Sequence, residues 1–425
     1  MIKVFKFGGA LMKDAQGIEK VAAIIDEFSC EPLVVVVSAM GKSTNALEEL
    51  LLLSFGSDEE ALQTAYFRIK QFHLRLAQDL MHDDAHQLVL ELEAEFVLLW
   101  DALNMTYSDK YLAYDQIVSF GENFAGIIIQ RFLQYKGIGS QLIDARSLIV
   151  TNSNYTNAAI NWKLTEKTIQ SRILPALENN KVVLTQGFIG SDEKGQSTTL
   201  GREGSDFTAA VLAKVTQAKE VSIWKDVPGL MNCDPKRFAQ AVKLHQISYH
   251  EAIELAFYGA SIIHPKTIQP LQLGNIPLKI RSFYHPESEP SLVSEDVSHD
   301  SEIYKIIIKD KQVLLSIASR NLSFIAEENL TGIFEAFSRN KIHINLMQNS
   351  AVSFSVCFNE DAGKLKSLIS DLGKNYLLKY NEGLQLITIR HYNDELISDL
   401  TKGKQIFLEQ KSRSTVQFLV KSKAG

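Results

Sequence analysis

Cysteine is scarce in this chain: 425 residues carry three, Cys30, Cys233 and Cys357. They lie far apart and match no metal-binding spacing, which argues against a disulfide framework and a cysteine metal centre. Buried, reduced thiols in a reducing compartment are the expected state. Long apolar runs are also missing. None reaches the ~18 residues that a bilayer-spanning helix needs. No charged stretch followed by an apolar core opens the chain, so no secretory leader is expected and the reading is cytoplasmic. The formal net charge is −6, and no long basic run is present. Nucleic acid and anionic membranes therefore find no electrostatic footprint here.

The composition itself is that of a soluble globular protein, with 45% hydrophobic residues. The length allows two or three domains. Strand-like apolar runs recur at residues 2–7, 33–38, 182–188, 221–225 and 277–283, with helical stretches between them. That alternation predicts an α/β domain with a mostly parallel sheet. Residues 45–110 are rich in Leu, Ala, Glu and Gln, and Ser57 with Glu60 has the spacing of a capping box. A helical excursion is expected there. Residues 284–302 are polar, acidic and proline-bearing, so they are expected to be a linker. Beyond them the pattern is strand 313–318, helix 330–337, strands 342–347 and 352–358, and helix 365–372. Strands at 384–390, 405–408 and 416–420 follow, with residues 393–400 the one helix candidate between them. The domain expectation is thus 1–283, a linker at 284–302, and a smaller α+β region at 303–425.

Two segments carry chemistry. The first is Ile-Lys-Val-Phe-Lys-Phe-Gly-Gly (2–9), an alternating strand ending in Lys6, Gly8 and Gly9. Asp14 then opens an amphipathic helix with Ile18, Val21, Ile25 and Phe28 on one face. Strand, glycine pair and helix suit phosphate held on backbone N–H groups, although this is not a Walker A loop. The second is Gly-Phe-Ile-Gly (187–190) followed by Thr-Thr-Leu-Gly-Arg-Glu-Gly-Ser-Asp (198–206). It combines permissive glycines, an arginine that can clamp a carboxylate or phosphate, and an acid at a helix start. Taken alone, Lys6 reads as a solvated strand-edge lysine, Asp206 as a first-turn acid, Glu122 as a helix cap, and His264 as structural.

The ordered set Lys-Phe-Gly-Gly (6–9), Val-Val-Ser-Ala-Met-Gly-Lys-Ser-Thr-Asn (36–45), Ser-Phe-Gly-Glu (119–122), Leu-Gly-Arg-Glu-Gly-Ser-Asp (200–206), Ile-Trp-Lys-Asp-Val-Pro-Gly (223–229), Asp-Pro-Lys (234–236), Ser-Tyr-His-Glu-Ala (248–252) and Tyr-Gly-Ala-Ser-Ile-Ile-His-Pro-Lys-Thr (258–267) resembles the aspartate kinases of the amino-acid kinase superfamily. The resemblance covers nearly all of 1–283, and the region after 302 resembles ACT amino-acid-sensing modules, the second one shortened. It implies an amino-acid kinase fold with an ACT-like regulatory region. It further implies transfer of the ATP γ-phosphoryl group to the β-carboxylate of L-aspartate, with Mg²⁺ accompanying ATP. That reaction opens lysine, threonine and methionine biosynthesis. A homodimer through the ACT-like region is implied as well.

By the same resemblance, Lys6 stabilises the transferring phosphoryl group and Asp206 holds Lys6. Gly8 and Gly9 present N–H groups. Ser38, Thr44 and Ser205 contact the amino acid, Glu122 takes its ammonium group and Arg202 its carboxylate. Lys225, Asp226 and Lys266 fall on the nucleotide side. The chain departs from the family pattern at Lys225, where Thr is usual, and at Ser261, where Lys is common. It departs again at Glu203, where Gly is usual, and at Ala10 and Leu11, where Thr-Ser is usual. Two other readings compete. One is a different amino-acid kinase, against which Glu122, Arg202 and the C-terminal region speak. The other is a catalytically silent amino-acid sensor, which loss of Lys6 or Asp206 would signal.

Overall fold

The structure is a computed structural model that describes residues 1–179, 181–260, 263–320, 324 and 327–422. The chain forms two compact units. The first comprises residues 1–230, 243–253 and 261–297, the second 231–242, 254–260 and 298–425.

Eight strands build the main sheet of the first unit, and its middle is apolar on both faces. These are β1 (Lys3–Phe7), β2 (Leu33–Val37), β3 (Ser140–Leu142), β5 (Val182–Gln186), β8 (Glu220–Lys225), β9 (Gln246–Ser248), β10 (Leu278–Ser282) and β11 (Ser291–Ser294). A separate three-stranded sheet holds β4 (Val150–Thr151), β6 (Ile189–Asp192) and β7 (Ser197–Thr199). The main sheet runs β3-β5-β2-β1-β8-β10-β11-β9, parallel except where β10 meets β11. The five residues of β2 are all fully buried, as expected for a parallel strand covered on both faces. Phe7 pairs with Val37 on one side and Trp224 on the other. The carboxyl ends of β1, β2 and β8 therefore come level, the edge where open α/β sheets hold ligands.

The helices of this unit are α1 (Ala15–Phe28), α2 (Ser43–Ser54), α3 (Glu59–Met81), α4 (His86–Leu103), α5 (Lys110–Tyr135), α6 (Trp162–Asn179), α7 (Gly204–Thr216), the start of α8 (Tyr249–Tyr258), and α9 (Pro265–Leu273). Asp14 caps α1 by accepting the Gly17 N–H at 2.9 Å, and Ile18, Val21 and Ile25 are buried beneath it. The expected helical excursion is α2 to α4. It is fastened by Phe96, whose ring stacks on Phe124 of α5 at 4.2 Å and meets Tyr66 edge-on at 5.9 Å. The cap of α3 is Asp58 rather than Ser57: its carboxylate accepts the Ala61 N–H at 3.0 Å. An ionised acid there also meets the positive helix end, which a neutral serine does less well.

In the second unit, β12 (Lys305–Ser319), β13 (Ile344–Asn349), β14 (Ser353–Asn359), β15 (Tyr376–Arg390), β16 (Lys404–Lys411) and β17 (Thr415–Ser422) form one antiparallel sheet ordered β13-β14-β12-β15-β17-β16. The helices are α10 (Glu327–Arg339), α11 (Ala362–Leu372) and α12 (Asp394–Thr401). The expected strand 313–318 is the second half of β12. Register shifts between Lys309 and Leu314 let one strand continue through a break in its alternation. α12 has eight residues and lies where the one helix candidate was placed.

The boundaries differ from the expected ones in two places. The 284–302 segment is not wholly a linker, because Ser291–Ser294 forms β11, antiparallel to β10. Its polar, acidic and proline-bearing composition pointed to a linker, yet Ser291 is buried and its Oγ accepts the Leu230 N–H at 2.9 Å. Residues 231–242 also leave the first unit. Cys233 packs with Ile306, Ile387 and Ile389, and the Ile306 N–H donates to the Asn232 carbonyl at 2.8 Å.

Candidate active site

Alternation along β1 sends Phe7 onto Trp224, stacked at 5.8 Å, and Lys6 to the opposite face. There the Lys6 Nζ lies 2.6 Å from Asp206 Oδ1, and the Lys225 Nζ lies 3.5 Å from Asp206 Oδ2. Asp206 sits in the first turn of α7 and is fully buried. Burial pushes its carboxyl up, but the charges of Lys6 and Lys225 outweigh this and hold it below its ordinary range. One buried carboxylate thus holds two ammonium groups in place.

Of the glycine pair after β1, Gly9 is required by space. A Cβ on Gly9 would lie 1.9 Å from the Ala39 carbonyl oxygen, and one on Gly8 would stand 3.5 Å from the Lys6 ammonium. The Gly41 N–H donates to Gly9 O at 2.9 Å, which ties this turn to the loop after β2. That loop brings in Ser38 and Thr44. Its Ala39 N–H donates to Glu122 Oε1 at 3.2 Å. Glu122, on α5, is buried, and its Oε2 has no hydrogen-bond partner among the described residues. Burial drives its carboxyl up to about 8, opposed by the Ala39 N–H and the Lys6 charge. Behind the loop, buried His73 stays neutral, its pKa lowered to about 4 by burial. Its Nε2 lies 3.3 Å from Ser43 Oγ.

The opposite wall comes from β7 and the start of α7. A Cβ on Gly187 would meet Ser205 Cβ at 2.5 Å, and one on Gly204 would meet the Phe188 ring at 2.6 Å. The amino end of α7 is thereby pressed onto residues 187–188, with its free N–H groups at the cleft. Glu203 stands just before the helix at φ +55°. That left-handed conformation suits glycine, so the departure from the usual residue carries strain.

Together these parts enclose a cleft of about 480 Å³, lined by Lys6, Ser38, Thr44, Glu122, Arg202 and Ser205 among others. Asp206 stands behind Lys6. The other expected residues are placed as follows. Lys225 is engaged with Asp206. Asp226 is exposed beyond the end of β8. The Lys266 Nζ donates to Asn157 Oδ1 and lies 3.5 Å from the Leu200 carbonyl. His264 caps α9, its Nδ1 accepting the Lys266 N–H at 3.2 Å. Ser261 lies outside the described residues. Sequence reasoning missed Tyr114 and Thr156, and named Phe188 only within Gly-Phe-Ile-Gly; all three line the cleft. An aromatic residue near a helix start and a threonine in a loop carry no signal of their own.

The site combines a buried cationic point, backbone N–H groups, an unpartnered buried carboxyl oxygen and an exposed arginine. Such a cleft can hold a phosphoryl group at one end, and a small molecule bearing both ammonium and carboxylate at the other. The sequence model described as "Amino acid kinase family" matches residues 1–282. The chain belongs to that family.

Its curated relatives include Aspartokinase 1, chloroplastic, of Arabidopsis thaliana, 30% identical over 86% of this chain and 64% of the relative. Lysine-sensitive aspartokinase 3 of Escherichia coli is 29% identical over 96% of this chain and 90% of the relative. The chain thus spans somewhat under two thirds of the plant protein. Among solved structures, E. coli aspartokinase III in complex with lysine and aspartate superposes with a TM-score of 0.84 at 26% identity. That match covers 99% of this chain and 96% of the other. No helix among the described residues is long and apolar enough to cross a membrane.

The Glu122 carboxyl yields a prediction. Its native pKa, about 8, lies above that of the unfolded chain, so the folded state retains a proton that the unfolded state releases. The resulting stability is present below the unfolded carboxylate value near pH 4 and is lost as pH rises through about 8. Glu122→Gln removes that dependence. The melting temperature of the variant should therefore gain on wild type steadily from pH 5 to pH 8.5. A constant difference across that range would show that Glu122 is ionised throughout.

Proposed function

We propose that the chain is an aspartate kinase, an ATP-dependent phosphotransferase that converts L-aspartate to 4-phospho-L-aspartate. The observation that carries this reading is the placement of Lys6, held by Asp206, in one cleft with Glu122 and Arg202. A carboxylate nucleophile is already ionised at neutral pH and needs no base. The obstacle is repulsion between two anions, so positioning and fixed positive charge are what the protein must supply. In the reaction a β-carboxylate oxygen forms a bond to the γ-phosphorus. The bond from that phosphorus to the bridging oxygen breaks, and ADP leaves. Lys6 and the N–H groups of Gly8, Gly9 and the first turn of α7 face the transferring group. Glu122 takes the α-ammonium through its unpartnered oxygen, Arg202 takes a carboxylate, and Ser38, Thr44 and Ser205 line the pocket between them.

On the nucleotide side we place Lys225, Asp226 and Lys266. Lys225 is already anchored by Asp206, and Lys266 reaches toward Leu200 at the shoulder of the cleft. Mg²⁺ travels with the nucleotide, held by phosphates and water. E. coli aspartokinase III, which superposes with a TM-score of 0.79, has been solved with aspartate and ADP, and this supports use of an adenine nucleotide. A silent sensor would not need the intact Lys6–Asp206 pair. The reading also includes a cytoplasmic enzyme of lysine and threonine biosynthesis, with no nucleic-acid or membrane partner. Its second unit is read as an ACT-like regulatory region through which the chain forms a homodimer. The edge strand β13, with Met347 exposed, supports pairing there.

Purified protein with ATP, Mg²⁺ and aspartate should form an acyl phosphate that hydroxylamine traps as the hydroxamate. Trapping with glutamate and not aspartate would overturn the substrate assignment.

Regulation follows from the second unit. By the resemblance, lysine-sensitive members of the family hold the effector with an aspartate and a glutamate, and the simplest alignment sets Asn345 and Ala351 at those places. Here the Asn345 amide oxygen accepts the chain's own Lys309 Nζ at 2.8 Å. Its Nδ2 donates to Gln312 Oε1 at 2.8 Å and Asn359 Oδ1 at 2.9 Å. The acceptor that a bound ammonium would need is taken. The amide-bearing run Gln348-Asn349-Ser350 favours a hydroxyl and a carboxylate instead, so threonine is the better candidate. Titration of activity with lysine alone should give little inhibition, and half-inhibition in the micromolar range would contradict this.

A further inference from the structure

Asp115 is fully buried on α5, one residue from the cleft-lining Tyr114, and serves no role assigned above. Its carboxylate accepts four hydrogen bonds. The Thr156 N–H reaches both oxygens at 3.1 and 3.0 Å, the Thr199 N–H donates at 2.8 Å, and the Thr199 hydroxyl donates at 2.7 Å. The next helical residue, Gln116, donates from Nε2 to the Ser197 carbonyl at 3.0 Å. Helix α5 therefore grips β7 at both ends of that short strand.

Both residues held by Asp115 matter to the cleft. Thr156 lines it and is strained at φ +69°, where a β-branched residue stays only if its surroundings enforce it. Thr199 is three residues before Arg202. Between them, Gly201 is wedged against the same loop: a Cβ there would lie 2.8 Å from Asn157 Oδ1 and 3.3 Å from the Thr156 carbonyl. The Ala158 N–H donates to Thr199 O at 2.9 Å, which closes the contact. The exposed Arg202 side chain springs from backbone that this junction locates.

We propose that Asp115 is a positioning residue that fastens the 154–157 loop to the end of β7 and so sets where Arg202 meets the carboxylate of the amino-acid substrate. The proposal rests on the aspartate-kinase reading and deepens it. Asp115 touches no reacting atom. A carboxylate suits the task because its two oxygens accept from donors on two separate segments, which an amide, with one acceptor oxygen, does only in part.

Asp115→Asn should raise the KM for aspartate roughly tenfold or more, with kcat and the KM for ATP within about threefold of wild type. Thr199→Ser, which keeps the hydroxyl, should behave as wild type, and Thr199→Val should shift the aspartate KM in the same direction as Asp115→Asn. The threonine pair decides the matter if Asp115→Asn fails to fold. Amide hydrogen exchange should quicken at 154–157 and 199–202 in Asp115→Asn and stay unchanged elsewhere in α5, a readout that needs no substrate. An unchanged aspartate KM, a parallel fall in kcat with a rise of both KM values, or unaltered exchange at those amides would each overturn the role. Wild-type protein that makes no aspartyl hydroxamate would count against the substrate reading instead, and the exchange measurement would then judge Asp115 alone.

Discussion

The arrangement of the first unit depends on one buried ion pair, Lys6 with Asp206. A charge pair removed from water is a poor source of stability, since desolvation offsets most of the attraction. Replacing such a pair by apolar residues is often neutral, whereas deleting one partner typically costs about 3–5 kcal/mol. Its presence at the carboxyl edge of the sheet is better understood as a means of holding an ammonium group where a phosphoryl group arrives. Lys225 completes the device. With two cations on one carboxylate, the site keeps net positive charge when Asp206 is ionised.

Every other part of the cleft is located by reference to that pair. The parallel register of β1, β2 and β8 brings Lys6, the loop at Ser38 and Lys225 to one level. The tight approach of Gly9 to Ala39 joins the first two. The packing of Gly187 against Ser205 and of Gly204 against Phe188 places Asp206 and Ser205. Glu122 comes from a helix that also carries Asp115, so in the proposed reading α5 supports both the ammonium end and, through the 154–157 loop, the carboxylate end. The polar groups stand on rigid elements, while the exposed Arg202 depends on a strained loop for its place.

Much of this was legible in the residues. Five of the eight strands of the main sheet (β1, β2, β5, β8 and β10), the helical excursion and the elements of the second unit follow from periodicity, and the ordered motifs brought Lys6, Ser38, Thr44, Glu122, Arg202 and Ser205 to one cleft. What escaped has physical reasons. Pairing of Lys225 with Asp206 depends on the distance between β8 and α7, which no spacing reports. The role of Asp115 depends on two segments 41 and 84 residues away in the chain. β11 is serine-bearing and reads as loop, because its place comes from pairing with β10 and not from its own pattern. Residues 231–242 carry motif residues of the first unit yet pack on the isoleucines of β12 and β15. The continuity of β12 is hidden by its register shifts.

The central claim is that Asp206 acts through Lys6. A double-mutant cycle on kcat tests it most directly, with Lys6→Ala, Asp206→Asn and the combined variant, each checked for folding. The account predicts strong non-additivity. Lys6→Ala alone should lower kcat by roughly two or more orders of magnitude, and adding Asp206→Asn to it should change little further. Losses that multiply, as for two independent contributions, would contradict the account.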